Sequence, residues 1–119
     1  TFAHAYEASL NFSKRLNHGE AVILGMKSAF EFSHNKKLIN YKEFDSAINH
    51  LNNSHFPSSI NNYFSIKKIN QIISFMMRDK KNNSKNIKLM LIRKIGGPII
   101  EKEFSHNAIK LFLKGRLIN

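Results

Sequence analysis

Two histidines, His4 and His18, and two glutamates, Glu7 and Glu20, fall within the first twenty residues of a 119-residue chain. His4 and Glu7 are three positions apart, which on a helix places them on neighbouring parts of one face. His18 precedes Gly19 at the start of a second helical pattern, where free N–H groups and the helix dipole favour anions. A neutral imidazole at such a place could ligate zinc, or pass a proton near neutral pH. Fourteen residues separate the two histidines, and that matches no self-contained zinc spacing. Lys80 and Lys81, in "MMRDKK", read on residues alone as solvated cations favourable with the dipole at a helix C-terminus. His34, His50, His55 and His106 join no pattern and are expected at the surface.

The elements that must position these groups are mostly helical. "TFAHAYEASLNF" carries Ala3, Ala5 and Ala8, small residues that let a helix approach its neighbours closely. In "GEAVILGMKSAFEFS", Val22, Met26, Ala29, Phe30 and Ser33 recur at spacings of three and four and predict one buried stripe. Tyr41, Phe44, Ile48 and Leu51 share a face of a third helix in "YKEFDSAINHL". "HFPSSINNYF" is a connection, with Pro57 breaking any helix there. Ser65 is the expected N-cap of a helix over "IKKINQIISFMMRDKK", whose apolar side is Ile66, Ile69, Ile73, Met76 and Met77. The period then changes. "IKLMLIRKIGGPII" is rich in β-branched residues around a Gly96-Gly97-Pro98 turn and predicts a short hairpin near 87–101. Ser105 caps a last helix, "HNAIKLFLKGRL", expected to end near Gly115. The fold class is mainly α with one β-hairpin, and the length suits a single domain over 1–119.

A hydrophobic fraction of 42% with ten phenylalanines argues for a packed globule. No cysteine is present, which excludes disulfides and thiolate metal sites and fits a reducing compartment. The net charge of +11 raises nucleic acid as a partner. The basic residues are scattered as pairs (Lys36-Lys37, Lys67-Lys68, Lys80-Lys81), so they read as solvated faces, and neither nucleic acid nor membrane is the expected partner.

Order adds what single motifs lack. "TFAHAYE", then "LNHGEAVILGM", then "MMRDKKNNSKNIKLMLIRKIG" resembles the C-terminal domain of the 3-dehydroquinate synthase family, within the sugar-phosphate cyclase superfamily. That family typically reads Gly-His-Thr-Phe-Gly-His-Ala-Ile-Glu, then Leu-His-Gly-Glu-Ala-Val-x-x-Gly-Met, then Met-x-x-Asp-Lys-Lys and a strand closing in Ile-Gly. The resemblance implies that Thr1 is directly preceded by a zinc-binding histidine, and that a further zinc-ligating glutamate and a nicotinamide-binding domain lie upstream. It implies His18 as a zinc ligand that also meets substrate, and His4 as the active-site histidine that binds substrate and assists proton transfer. Lys80, with Lys81 as the alternative, would hold the substrate's phosphate, while Glu7 and Glu20 would orient histidines or cap helices. Ala3 stands where the family usually has glycine, and an added methyl limits how closely backbone or substrate can approach.

For the complete enzyme the resemblance implies a cytoplasmic lyase of the shikimate pathway of aromatic amino acid biosynthesis. It converts 3-deoxy-D-arabino-heptulosonate 7-phosphate to 3-dehydroquinate and phosphate, with bound NAD recycled in each turnover and zinc, or cobalt, as the metal. Residues 1–119 alone are then expected to be inactive, because one histidine cannot hold a catalytic zinc. A small sugar phosphate is the expected partner, with a homodimer as the family's common assembly. Two rivals stand beside this reading: another cyclase of the inosose or valiolone type, and a basic helical module that binds nucleic acid.

Overall fold

In a computed structural model, residues 2–11, 15–53, 59–78, 86–92 and 96–117 are described. Five α-helices, α1 (Phe2–Ser9), α2 (His18–Asn35), α3 (Tyr41–Asn52), α4 (Ile69–Met77) and α5 (His106–Leu117), accompany an antiparallel hairpin of β1 (Asn86–Ile92) and β2 (Ile99–Ser105). Single turns of 3-10 helix occupy Ile60–Asn62 and Ile66–Lys68. The mainly helical class and the hairpin agree with the sequence expectation.

Helix α2 is the central rod, with α1, α3 and β1 packed against it; α4 lies on α1 and α5. Its start is a capping box. The Glu20 amide donates to the Asn17 side chain at 2.8 Å, and the Asn17 amide donates to Glu20 Oε1 at 3.0 Å. Two orphan donors of the first turn are thereby satisfied. Its end is a Schellman motif: the Leu38 amide reaches the Ser33 carbonyl and the Lys37 amide the His34 carbonyl. Lys37 takes the left-handed conformation there, with φ of 60°.

The hairpin aligns Asn86 with Ser105 and Ile92 with Ile99. On β1, Ile87, Leu89 and Leu91 alternate into the core and are almost wholly buried, the period-two pattern of a half-buried strand. Ser105 Oγ accepts from the Ala108 amide, so the strand runs directly into a capped α5. The core is strongly aromatic. Phe2 stacks near Tyr6, Tyr6 meets Phe64, and Phe32 is edge-on to both Phe104 and Phe112.

Four expectations are corrected. The inward side of α2 is Ala21, Leu24, Gly25, Ser28, Phe32 and Ser33, with Phe30 on a second small cluster against α3, while Met26 is exposed and Val22 only half-buried. A helix flanked by several elements buries most of its circumference, so a single stripe does not describe it. Ser65 makes no side-chain cap; it precedes the 3-10 turn, and α4 begins four residues later at Ile69, leaving Ile66 exposed. On α3, Tyr41 is exposed and Ala47 takes the buried place beside Leu51. Helix α5 continues through Gly115 to Leu117, because Leu117 is itself packed in the core. Pro57 and the chain from 79 to 85 lie outside the described residues.

Candidate functional site

Helices α1 and α2 cross where Ala3 meets Gly25. A Cβ at position 25 would lie 2.7 Å from the Ala3 Cβ and 2.8 Å from the Ala3 nitrogen, closer than real Cβ contacts. Glycine at 25 is therefore what admits the methyl of Ala3. One turn along α1, the Tyr6 hydroxyl and Ser28 Oγ share a buried hydrogen bond of 2.6 Å, a second tie between the two helices. Burial pushes the Tyr6 phenol well above its ordinary range, so it acts as a neutral hydrogen-bonding group.

This crossing brings Glu7, near the end of α1, to the first residue of α2. The Nδ1–H of His18 donates to Glu7 Oε1 at 2.9 Å. The ring itself is open, with 78% of the His18 side chain exposed against 13% for Glu7. His4 lies one helical turn before Glu7 on the same side of α1 and is exposed. Glu20 is engaged in the capping box and fixes the backbone at His18. Lys80 and Lys81 lie outside the described residues, as does His55. Of the remaining histidines, His34 stacks on Phe44 with ring centroids 4.3 Å apart, and His50 is exposed. His106 departs from expectation: its Nε2 is buried with no hydrogen-bond partner among the described residues.

The His18 ring fits one coordination position of a metal centre. Its Nδ1 is engaged by the Glu7 carboxylate, and the ring is otherwise open to the surface. Among the described residues no group of three or more His, Asp or Glu side chains could hold a metal ion by itself.

A second polar grouping escaped sequence reasoning, because its members are far apart in the chain. Arg116 of α5 pairs with Glu31 of α2 at 2.6 Å, and Lys27 lines the same hollow of about 210 Å³ with Ser28, Asn52 and Asn61. Burial raises the Glu31 carboxyl above its usual range, against the opposing pull of Arg116 and Lys27. Burial likewise lowers the Lys27 ammonium, against Glu31. A raised folded-state carboxyl pKa contributes stability below the ordinary carboxylate range, and that contribution is lost as pH rises through the raised value. Glu31→Gln is therefore expected to be at least as stable as the wild type at pH 7. In urea melts, the stability of the wild type relative to the variant should fall as pH rises across that interval. A variant destabilised at pH 7 and unaffected by pH would refute this account.

Residues 1–82 match the family described as 3-dehydroquinate synthase C-terminal. The chain belongs to that family. The 3-dehydroquinate synthase of Pelagibacter ubique (strain HTCC1062) is 54% identical over 117 residues, covering 98% of this chain and 32% of that protein. Its counterpart from Zymomonas mobilis subsp. mobilis is 35% identical over 117 residues, covering 98% and 31%. The chain thus spans about a third of the length of the curated relatives it matches. In fold it is similar to a 2-deoxy-scyllo-inosose synthase crystallised with carbaglucose-6-phosphate, NAD+ and Co2+, with a TM-score of 0.69 at 17% identity, covering 98% of this chain and 34% of that one. No helix among the described residues is long and apolar enough to cross a membrane.

Proposed function

We propose that this chain is the metal- and substrate-binding part of a 3-dehydroquinate synthase, working with a nicotinamide-binding domain upstream. The reaction is conversion of 3-deoxy-D-arabino-heptulosonate 7-phosphate to 3-dehydroquinate and phosphate, in the cytoplasm, within aromatic amino acid biosynthesis. The observation that carries the reading is the oriented His18 ring at the head of α2, inside a sequence 54% identical to a curated synthase.

In this reading His18 would be one ligand to zinc or cobalt, with the other ligands coming from upstream. When bound, the metal supplies Lewis-acid polarisation of a substrate oxygen, and NAD supplies a transient hydride acceptor. His4, exposed one turn from Glu7, binds substrate and assists proton transfer. Lys80, or its neighbour Lys81, serves as a point charge for the phosphate. Glu20 keeps the first turn of α2 closed under His18.

The test is turnover by the polypeptide extended upstream to the length of its relatives, supplied with zinc and NAD. Phosphate release and 3-dehydroquinate formation are expected from the heptulosonate phosphate, and none from residues 1–119 alone. His18→Ala should lower both the zinc content and the rate by more than the 10–100-fold typical of outer-sphere changes. Cyclisation of a different sugar phosphate, with the heptulosonate left untouched, would move the assignment to an inosose- or valiolone-type cyclase. Turnover by the isolated chain would overturn the division of labour.

A further inference from the structure

We propose that Glu7 is a positioning residue: its carboxylate locks His18 in the Nδ1–H tautomer and so dedicates Nε2 to the metal. This rests on the reading of His18 as a metal ligand and adds what selects the ligating nitrogen. An ionised carboxylate has only acceptor sites. A neutral imidazole whose Nδ1 lies 2.9 Å from Glu7 Oε1 therefore carries its proton on Nδ1. The lone pair then resides on Nε2, at the open side of a ring that is 78% exposed.

The arrangement is built from three independent constraints. Glu7 is largely shielded, so its carboxylate is held rather than wandering. The position of α1 against α2 is set by the Ala3–Gly25 contact and the Tyr6–Ser28 hydrogen bond. The backbone at His18 is set by the Asn17–Glu20 capping box. A stabilising ion pair is the rival account, and its magnitude counts against it. Pairs with one partner this exposed contribute little to stability, while outer-sphere partners of ligating histidines typically alter metal affinity about 10–100-fold.

Three variants of the full-length polypeptide separate these accounts, each read by zinc dissociation constant, thermal midpoint and ring-nitrogen NMR of 15N-histidine-labelled metal-free protein at a pH where the ring is neutral. Glu7→Ala keeps a good helix former, and it is expected to shift the His18 ring toward the Nε2–H tautomer and to weaken zinc binding about 10–100-fold. Its thermal midpoint should fall by less than about 4 °C. Glu7→Gln offers Nδ1 both an acceptor and an N–H donor, so it should hold the tautomer less firmly than the carboxylate and weaken zinc binding less than the alanine variant. Unchanged tautomer and zinc affinity in Glu7→Ala overturn the proposal, as does a large drop in thermal midpoint with zinc affinity intact. His18→Ala isolates the underlying reading: if it binds zinc like the wild type, His18 is not a ligand, whatever the tautomer in the Glu7 variants.

Discussion

Gly25→Val is expected to cost about 3 kcal/mol, near the upper end for overpacking, and to lower the thermal midpoint by about 10 °C. The bulk has nowhere to go. The atoms within 3 Å of the new Cβ include the Ala3 backbone nitrogen as well as its methyl, and backbone in the first turn of a packed helix cannot swing aside as a side-chain tip can. Relief requires α1 to move away from α2, which would stretch the Tyr6–Ser28 hydrogen bond and withdraw Glu7 from His18. Gly25→Val therefore joins two effects: loss of stability, seen in urea or thermal melts, and loss of zinc affinity in the full-length polypeptide, seen by metal titration. Gly25→Ala should move both in the same direction by less. A valine variant as stable as the wild type would show that the helix crossing is not the constraint described.

Phe32→Ala is expected to have the larger effect on stability, about 3–5 kcal/mol, with little local effect on the site. Phe32 is fully buried. Its ring stands edge-on to Phe104 at 4.6 Å and to Phe112 at 5.2 Å, joining α2 to the hairpin and to α5. Truncation leaves a cavity whose walls belong to three different elements, so collapse onto it is restricted. Fourteen residues of helix, about 21 Å, separate Phe32 from His18. Below its lowered melting temperature the variant should retain the wild-type His18 tautomer. Comparison with Gly25→Val then distinguishes a general loss of packing from a displacement of α1. A midpoint within a degree of the wild type would contradict the role given to Phe32.

Much of the fold is encoded within short reaches of chain. Asn17 and Glu20 form a capping box from three residues of separation; Ile87, Leu89 and Leu91 alternate; Ser105 caps α5 across one turn. Each depends on backbone geometry that repeats every few residues, and each signal lies in the residue types themselves. Less was legible where several elements compete for one surface. The inward face of α2 includes Ser28, which periodicity of apolar residues passes over, and Tyr41 is exposed although its spacing matches the buried face of α3.

The amino-acid order by itself determined the helical class, the hairpin, the family and the identities of His4, Glu7, His18 and Glu20 as the chemically able groups. Only the tertiary structure decided that Glu7 meets His18 across eleven residues, that Ala3 needs glycine at 25, and that Arg116 closes on Glu31. Local rules reach about one turn of helix or one strand pair. Contacts between distant segments depend on how closely two helices pack, and at this crossing the space left by one absent methyl sets that distance.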